Sequence, residues 1–409
     1  MYMAGAFFMS FLKACQFCAC LKLVYWLINR INLYSVALKK GNRKLIFIVD
    51  KLARIINIIF ALLLLLSILA GIVSPQVCWP LALAGLCYSI FLFGNLFFVV
   101  YWIARANRFV SISLACILIG WKPLTNTIGF HLRQPVNFKK DLKNIRIMTF
   151  NVHDFNMELP NGDSSRQAML QLLKNKQPDV VCFQEYYSWR SDNPYQITDS
   201  IKQALGAPYH YFKPFAGTST YDIGLAIFSR FPIVDTGLVS AQQDDKDLDP
   251  AIFCDIRRSN QIFRVYNLHL RSVSFDPEDY KYVNDVAAHK RMQLQPTLHI
   301  LGKLKSAFTD RSDQVQLLKQ HVSANTNPYI FAGDFNDTPT SYAFNQLNSG
   351  LKSAFAAKAS GFGATYESRL PDLQLDHILI SPSIKVKYYK ILKESISDHY
   401  PVVSDLLLD

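Results

Sequence analysis

Polar side chains able to bind a metal or transfer a proton recur at the ends of apolar segments from residue 151 onward in this 409-residue chain. Segments of about four to eight residues that are rich in β-branched and aromatic side chains predict strands. Because strand ends meet at one rim of a layered fold, we expect the polar groups to share a single cleft. These groups belong to Asn151, Glu185, His269, Asp334, Asn336, Asp376, Asp398 and His399.

Three of these side chains offer oxygen ligands of the kind that bind a hard divalent cation. Asn151, Glu185 and Asp398 carry amide and carboxylate oxygens, which suit Mg²⁺ or Mn²⁺ better than zinc. Taken singly, each residue has another interpretation, because asparagine and aspartate after a strand also form turns. Together they predict a metal site.

The remaining groups supply what a reaction at phosphorus needs besides a metal. Asp334, His269 and His399 can transfer protons, and the Asn336 amide can hydrogen-bond a phosphoryl oxygen. An in-line attack on phosphorus requires a cation for the developing charge, an oriented water and a donor to the phosphate. His269 on its own is also compatible with a buried core histidine. The combination predicts metal-dependent hydrolysis of a phosphoester.

The order of the motifs resembles that of one known family. The motifs are TFN at 149–151, QE at 184–185, NLHL at 267–270, GDFN at 333–336, LDHI at 375–378 and SDH at 397–399. They resemble the deoxyribonuclease I-like endonuclease/exonuclease/phosphatase superfamily over roughly Ile145–Asp409. The apolar N-terminal region, with Gly-Trp at 120–121, is similar to a bacterial subgroup in which the domain is anchored in a membrane.

The resemblance implies a role for each matching residue. Glu185 would be the principal ligand of Mg²⁺ or Mn²⁺, with Asn151 and Asp398 completing the site directly or through water. Asp334 would orient and deprotonate the attacking water, while Asn336 would hold that water and a phosphate oxygen.

Two histidines would bind the phosphoryl group, again by resemblance. They are His269 and His399, which would stabilise the charge that develops on the phosphoryl oxygens. Asp376 would accept a hydrogen bond from His399, fix its tautomer and favour its protonated form.

The chain departs from the family's pattern next to that aspartate. Where the family often has Arg-Ile-Asp-Tyr, this chain has Gln374-Leu375-Asp376-His377, so the resemblance implies no substrate contact for 374 or 377. Two weaker candidates for contact with the substrate lie elsewhere. Arg271 follows NLHL, with a surface ion pair as the alternative, and Thr365-Tyr366 lies in the GATY segment.

From Ile145 onward, short apolar segments alternate with amphipathic stretches, which predicts an α/β sandwich with mixed sheets. The resemblance implies four layers, namely two mixed β-sheets flanked by helices. The predicted strands are Ile145–Asn151, Val180–Phe183, Leu225–Ser229, Ala251–Ile256, Phe263–Leu270, Tyr329–Ala332 and His377–Ile380. The predicted helices are Ser165–Asn175, Asp199–Leu205, Val283–Ser306, Asp313–His321 and Ser341–Asn348.

The charge of the chain is divided unevenly. Half of the residues are hydrophobic and the net charge is +12, a composition that excludes disordered and collagen-like chains. Residues 1–145 carry 16 Lys and Arg against two acidic residues, whereas the remaining 264 residues carry 27 basic and 29 acidic residues, a net charge of −2. The C-terminal domain therefore lacks the basic surface with which nucleases attract a phosphate backbone.

Uncharged segments of membrane length occupy the N-terminal third. Ile55–Val73 has 19 residues and Trp79–Ile103 has 25, and about 20 residues cross a bilayer as a helix. Phe109–Trp121 has only 13 residues, so it is either a short third span or a re-entrant or interfacial segment; we favour a span.

Flanking charges predict the orientation of these segments. The connection Ser74–Cys78 is uncharged, whereas basic residues precede the first segment and follow the second: Lys39, Lys40, Arg43, Lys44, Lys51, Arg54, Arg105 and Arg108. By the positive-inside rule the basic residues are cytoplasmic and the connection is external. Three crossings would place the C-terminal domain outside the cytoplasm and two would leave it inside. We expect a multi-pass protein of the inner membrane with its catalytic domain on the extracytoplasmic side.

The chain is thus divided into four parts. We expect a basic N-terminal segment at 1–54, a membrane region of two or three helices at 55–130, a linker at 131–144 and the catalytic domain at 145–409. For the N-terminal segment, a misassigned start codon is the alternative. The first hypothesis is an anchored phosphoesterase, acting as a monomer on a phosphodiester or phosphomonoester such as a lipid head group. The second is an anchored nuclease, which the domain charge disfavours. The third is a non-catalytic module that binds a phosphate ligand.

Overall fold

Two β-sheets of six strands each form the C-terminal part of the protein. The computed structural model describes residues 43–132, 140–156, 162–190, 197–240, 251–287, 293–367 and 373–408. The strands are β1 (Ile128–Phe130), β2 (Ile145–Asn151), β3 (Val180–Trp189), β4 (Tyr209–Gly217), β5 (Tyr221–Ser229), β6 (Ile233–Val239), β7 (Ala251–Arg258), β8 (Gln261–His269), β9 (Tyr329–Asp334), β10 (Lys352–Ser353), β11 (Ser360–Phe362), β12 (Asp376–Ile380), β13 (Ile384–Ile391) and β14 (Val402–Leu408).

The two large sheets are mixed and pack face to face. Their strand orders are β13-β14-β2-β3-β5-β4 and β10-β12-β9-β8-β7-β6. The pairs β2–β3 and β8–β9 are parallel, and the other neighbours in both sheets are antiparallel. A short third sheet joins β1 to β11.

The helices flank the sheets and continue into the N-terminal region. They are α1 (Arg43–Leu69), α2 (Pro75–Cys78), α3 (Pro80–Leu86), α4 (Tyr88–Ala104), α5 (Val110–Ile119), α6 (Trp121–Thr127), α7 (Gly162–Lys176), α8 (Ile197–Leu205), α9 (Pro277–Ala287), α10 (Leu294–Ser323), α11 (Tyr342–Leu347) and α12 (Ala354–Lys358). A 3₁₀ turn covers His153–Asn156.

Apolar side chains divide the domain into layers. One cluster, with Ile147 and Ile227 from the first sheet and Val265 and Ile330 from the second, fills the space between the sheets. Other clusters pack α7 and α8 on the outer face of the first sheet, and α10 and α11 on the outer face of the second. All seven residues of β2 are buried, as expected of a strand covered on both faces. The predicted four-layer sandwich of two mixed sheets is confirmed.

The prediction of separate helices at Val283–Ser306 and Asp313–His321 is wrong. Residues 294–323 form the single helix α10, and Val283 lies in α9. Pro296 lies in the first turn of α10, where proline is tolerated, and no glycine or proline interrupts residues 306–313. The buried polar residues Arg311 and Ser312 broke the expected apolar periodicity without breaking the helix.

The N-terminal helices α1, α4 and α5 pack side by side around a small apolar core. Polar side chains join them at one level, where Asn57 donates to the Ser113 hydroxyl (2.6 Å) and accepts from the Trp102 indole N–H (2.7 Å). At the Arg43 end, Arg105 forms a salt bridge with Asp50 (2.8 Å). Since α1 and α4 run in opposite directions and α5 turns back, this region passes three times between its two ends.

One helix of the described residues is long and apolar enough to cross a bilayer by itself. It covers Leu45–Leu69 within α1, and only 22% of its most apolar window is buried. The helices α3 and α4 meet at 59° and together form a second candidate, while α5 is a shorter apolar helix. The low burial of α1 distinguishes it from the core helix of a soluble protein. The predictions for residues 1–42 and 133–139 fall outside the described residues.

The first sheet depends on a buried ion pair between its central strands. The guanidinium of Arg146 in β2 donates to both carboxylate oxygens of Asp405 in β14, at 2.6 and 2.7 Å. We expect Asp405→Ala to lower the free energy of unfolding by about 3–5 kcal/mol, because it leaves an unpaired buried charge. Denaturant unfolding of the full chain in detergent measures this change. Asp222→Ala is the control, since it removes an ion pair with the exposed Arg190 and should have a much smaller effect. Equal effects of the two substitutions would contradict the prediction.

Candidate active site

Strand ends bring the predicted polar residues to one rim of the sandwich. The strands β8, β9 and β12 are neighbours, and their register aligns His269 with Asp334 and Asp334 with Asp376. In the other sheet, Asn151 at the end of β2 is aligned with Gln184, next to Glu185 in β3. The cleft therefore lies where both sheets end together.

Asp334 is the centre of this arrangement. Its Oδ1 accepts a hydrogen bond from the backbone N–H of Asn336 (2.7 Å), and its Oδ2 accepts one from the Asn151 side-chain amide (3.1 Å). The Nε2 atoms of His399 and His269 lie 3.7 and 3.9 Å from the same Oδ2. A fully buried carboxylate is thus surrounded by hydrogen-bond donors and two imidazoles.

Glu185 reaches the cleft through a bulge in β3. The register of β3 against β5 shifts between Phe183 and Tyr186, and Glu185 has a φ of 51°. Bulges redirect side chains next to active sites, and a non-glycine residue in the left-handed region carries strain. As a result, Gln184 points into the core, where it donates to Asn267 (2.6 Å), while the Glu185 carboxylate accepts from the Asn151 amide (3.0 Å).

His399 is held from behind by a buried carboxylate. Its Nδ1 lies 2.9 Å from Oδ2 of Asp376, and the backbone N–H of Asp376 donates to the Thr365 hydroxyl (3.0 Å). Burial of the imidazole lowers its pKa, but the Asp376 and Asp334 carboxylates more than offset this and raise the pKa of His399 to about 10. His399 is therefore a cation at neutral pH, with Nδ1 donating to Asp376.

The carboxylates at the cleft are oxygen ligands of the kind that bind a hard cation. The carboxylates of Glu185 and Asp398 are each about one-third exposed, and both approach His153 Nδ1, at 3.5 and 3.6 Å. His153 thus lies between the two acidic groups, where positive charge is favoured. Asn151 turns its side-chain amide nitrogen toward Glu185, while its side-chain oxygen Oδ1 accepts a hydrogen bond from the backbone N–H of His153 (3.1 Å). Its contacts are those of a residue that orients Glu185, and direct ligation by Asn151 stays a prediction.

A second group of potential ligands is the set Asp334, Asp376 and His399, whose ligand atoms lie within 4.8 Å of one another. Both imidazole nitrogens of His399 face carboxylates, so its ring already supplies the positive charge that this group needs. Glu185 and Asp398 are the more accessible carboxylates, and their binding of a metal stays a prediction. A polar atom without a partner among the described residues also points to a ligand here: Nε2 of His269 is buried, yet forms no hydrogen bond.

Other predicted residues lie next to the cleft in structural roles. The guanidinium of Arg271 is 3.5 Å from the Asp310 carboxylate, which favours the ion pair considered as its alternative. Gln374 and His377 are buried, and burial lowers the pKa of His377 to about 4. The ring of His377 is neutral, with Nε2 located 3.1 Å from the Asp337 carbonyl oxygen. Neither 374 nor 377 is thus available to a substrate.

Sequence reasoning missed one residue of the site and understated another. His153 gave no signal, since it follows a strand end without belonging to a quoted motif, and Thr365 was considered only for the substrate cleft. The Thr365 hydroxyl instead accepts hydrogen bonds from Leu375 N–H (2.9 Å) and Asp376 N–H behind the site. The ring of Tyr366 packs against that of His399 at a tilted angle of 54°, with ring centroids 4.8 Å apart.

The comparisons with known proteins agree with this geometry. The sequence matches the endonuclease/exonuclease/phosphatase family over residues 148–399, and a domain of unknown function (DUF8431) over residues 50–127. No curated protein matches the chain. Because the first match covers more than half of its length, the chain belongs to the endonuclease/exonuclease/phosphatase family. It is accordingly a hydrolase that acts on phosphoester bonds.

Solved structures with a similar fold come from several bacteria. They include an endonuclease/exonuclease/phosphatase family protein from Leptotrichia buccalis C-1013-b, which is 19% identical, with 64% of this chain and 99% of that chain covered and a TM-score of 0.46. A family member from Bacteroides vulgatus is 17% identical, with 65% and 99% covered and a TM-score of 0.47. A mannosyl-6-phosphatase from Bacteroides thetaiotaomicron VPI-5482 is 19% identical, with 64% and 100% covered and a TM-score of 0.45.

The position of Thr365 predicts an effect on turnover without contact to substrate. Thr365→Val removes the acceptor that fixes Asp376, and through it His399, so we expect kcat to fall about 10- to 100-fold. Thr365→Ser keeps the hydroxyl and should stay within about threefold of the wild type. Steady-state kinetics with a phosphoester substrate, measured well below the unfolding temperature of each variant, distinguish the two. Equal turnover of the valine and serine variants would contradict this role.

Proposed function

We propose that this chain is a membrane-anchored, divalent-metal-dependent phosphoesterase that hydrolyses a phosphodiester or phosphomonoester, such as a lipid head group, at the surface of a bilayer. The observation that carries the proposal is the arrangement around Asp334. A buried carboxylate, two imidazoles and two accessible carboxylates surround one small space at the rim of the sandwich. These groups are the ones that phosphoryl transfer to water requires.

Each residue has a proposed task in the reaction. Asp334 accepts the proton of the attacking water, because its two oxygens face the centre and are held by the Asn336 and Asn151 N–H groups. Asn336 uses one side-chain N–H to bond the Leu270 carbonyl (2.9 Å), which fixes its amide and leaves its carbonyl oxygen and second N–H for water and phosphate. The rigid placement of these groups lowers the cost of bringing water and phosphate together.

Positive charge meets the phosphoryl oxygens from two sides. A cation at Glu185 and Asp398, Mg²⁺ or Mn²⁺, supplies charge stabilisation to the phosphoryl group when bound. His399 donates from the other side with Asp376 behind it, and His269 presents its unpaired Nε2, 3.6 Å from Glu185 Oε1. Because these donors are fixed before substrate arrives, they favour the charge of the transition state.

The placement of the domain relative to the helices supports an extracytoplasmic site. The uncharged connection Ser74–Cys78 contacts α10 of the catalytic domain, through Ser74 Oγ and Ser312 Oγ, which are 3.0 Å apart. The basic residues Arg54, Arg105 and Arg108 lie toward the other end of the helices. The candidate span Leu45–Leu69 within α1 has 25 residues, which is long enough at about 1.5 Å per residue to cross the hydrocarbon layer. With the basic end in the cytoplasm, the catalytic domain is outside.

The lipid preference rests on this geometry and on charge. A domain with a net charge of −2 has little attraction for free nucleic acid, whereas helices fixed in a bilayer bring it to phosphoesters at the membrane surface. A nuclease activity is an outcome of the substrate test rather than a second proposal.

Carboxylate substitutions test the assigned chemistry. In the full chain in detergent or nanodiscs with Mg²⁺ or Mn²⁺, we expect Asp334→Asn to lower kcat about 10²- to 10⁴-fold, because the proton acceptor is lost. Glu185→Gln should weaken Mn²⁺ binding, measured by electron paramagnetic resonance, and lower turnover with it. Asp199→Asn, which changes an exposed carboxylate on α8, is the control and should leave both unchanged.

The substrates are vesicles of sphingomyelin or phosphoinositide, plasmid DNA and bis(p-nitrophenyl) phosphate. Full hydrolysis by Asp334→Asn would overturn the site assignment, and hydrolysis of DNA alone would overturn the lipid preference. Tight ligand binding without turnover would support the non-catalytic module instead.

Reporter fusions test the orientation. Alkaline phosphatase fused after Asp409 should be active, and a fluorescent protein that folds only in the cytoplasm should stay dark at that position. The same reporters placed after Arg108, between α4 and α5, serve as the control and should show the opposite pattern. A bright cytoplasmic reporter after Asp409 would show an even number of crossings and contradict the extracytoplasmic site.

A further inference from the structure

The stretch of chain between α1 and α4, which includes α2 and α3, packs directly on the active-site loop. This connection, residues 70–86, is here called the hairpin; the loop after β9, residues 335–341, is called the β9 loop. Thr340 in the β9 loop donates its hydroxyl proton to the Gly85 carbonyl (2.8 Å) and lies 3.0 Å from the Thr338 hydroxyl. The loop begins immediately after Asp334 and contains Asn336. In the proposed function, these two residues bind and deprotonate the attacking water.

Glycines make this contact possible. A Cβ at Gly71 would lie 2.5 Å from the Asn345 amide nitrogen and 3.1 Å from the Thr340 carbonyl oxygen. A Cβ at Gly85 would lie 3.0 Å from the Ala70 Cβ, again under the β9 loop. The backbones of hairpin and loop therefore approach more closely than residues with side chains would permit.

The same hairpin holds the helix that supports the loop. Gln76 donates its side-chain amide to both oxygens of Asp313 (2.9 and 3.0 Å), the residue next to Ser312, which contacts Ser74. The neighbouring Arg311 lies 3.1 Å from Asp337 in the β9 loop. Helix α10 and the loop are thus both held against the hairpin and against each other.

Polar side chains on the catalytic-domain side of the contact with the hairpin are buried, and some of them depend on the hairpin for hydrogen-bond partners. Asp337, Thr338, Thr340 and Ser312 are all less than 10% exposed. Polar residues of this kind are normally solvated, and in the interior they require partners. For Thr340 and Ser312 the partners described above come from the hairpin. Removal of the helices would expose this surface and release the loop.

A second contact reaches the other loop of the site. β1, which follows α6, pairs with β11, and Phe93 of α4 packs against Phe362 at 5.7 Å between ring centroids. β11 leads within three residues to Thr365, the residue behind Asp376. Both loops that carry the central residues of the cleft are therefore attached to the helical region.

We propose that the helical region is a positioning element of the active site, in which the hairpin holds the β9 loop, and with it Asp334 and Asn336, in the catalytic conformation. This inference rests on the proposed function for its reading of Asp334 and Asn336. It assigns the helices a task beyond anchoring: the enzyme is active when its membrane region is folded and docked, and a released catalytic domain loses turnover even on a soluble substrate.

Substitutions on the hairpin test the proposal without altering any residue of the cleft. Gly71→Leu separates the hairpin from the loop, and Gln76→Ala, a milder change, removes its bonds to Asp313. Val77→Ala is the matched control, since Val77 is on the same short helix and 82% exposed. Hydrogen exchange of the backbone amides at 335–341 in the full chain should become faster in the first two variants and stay unchanged in the control.

Kinetics on the soluble bis(p-nitrophenyl) phosphate complete the test, because this substrate needs no membrane. We expect kcat to fall about 10- to 100-fold in Gly71→Leu and less in Gln76→Ala, with KM changed by less than about threefold. Unchanged exchange in the β9 loop, or faster exchange with unchanged kcat, would overturn the proposal. A wild-type chain that hydrolyses no substrate would overturn the proposed function instead, and the exchange measurement would still show whether the hairpin holds the loop.

Discussion

The site depends on one carboxylate, that of Asp334, which is buried away from solvent among hydrogen-bond donors. Asp334 is fully buried, and an isolated buried charge is costly unless it is hydrogen-bonded or paired. Its partners come from Asn151, Asn336, His269 and His399, which belong to strand ends and loops of both sheets. The burial of this one carboxylate therefore requires four segments of the chain to bring their polar groups to the same point. The same donors that stabilise the carboxylate face the space in which a phosphoryl group would react.

In two of the sequence motifs, neighbouring polar residues point in different directions. In QE, Gln184 turns into the core and bonds Asn267, while Glu185 turns outward through the bulge. In NLHL, Asn267 also donates to the carbonyl oxygens of Phe183 and Ala226 in the opposite sheet, and His269 faces the cleft. One polar residue of each motif thus joins the two sheets, and the other faces the cleft. Buried polar networks that are fully satisfied rigidify their surroundings, which is what a site at the rim of two sheets needs.

The sequence predicted the sandwich and the meeting of its polar residues because both follow from local patterns. Buried strands such as β2 and β9 are apolar runs that end in a polar residue, so their ends could be read directly. The edge strands β4 and β13 were missed, since exposed edges carry polar residues and lysines in place of an apolar run. Thr365 was misjudged because its role depends on which backbone N–H groups it meets. The hairpin contacts were beyond prediction because Ser74 and Ser312 are 238 residues apart in the chain.

The contact between the helical region and the catalytic domain bears on the interpretation of the net charge of +12. The basic residues Arg54, Arg105 and Arg108 flank the helices at the end away from the Ser74–Cys78 connection, and this uncharged connection contacts α10 of the catalytic domain. In the orientation that we propose, this asymmetry places the cleft on the extracytoplasmic side. Since the hairpin contacts the loop that holds Asp334 and Asn336, the cleft is held at a defined position relative to the helices rather than on a free tether. In the proposed function, this contact brings the cleft to a phosphoester in the bilayer without long-range electrostatic attraction. The near-neutral charge of the catalytic domain is consistent with this mode of encounter.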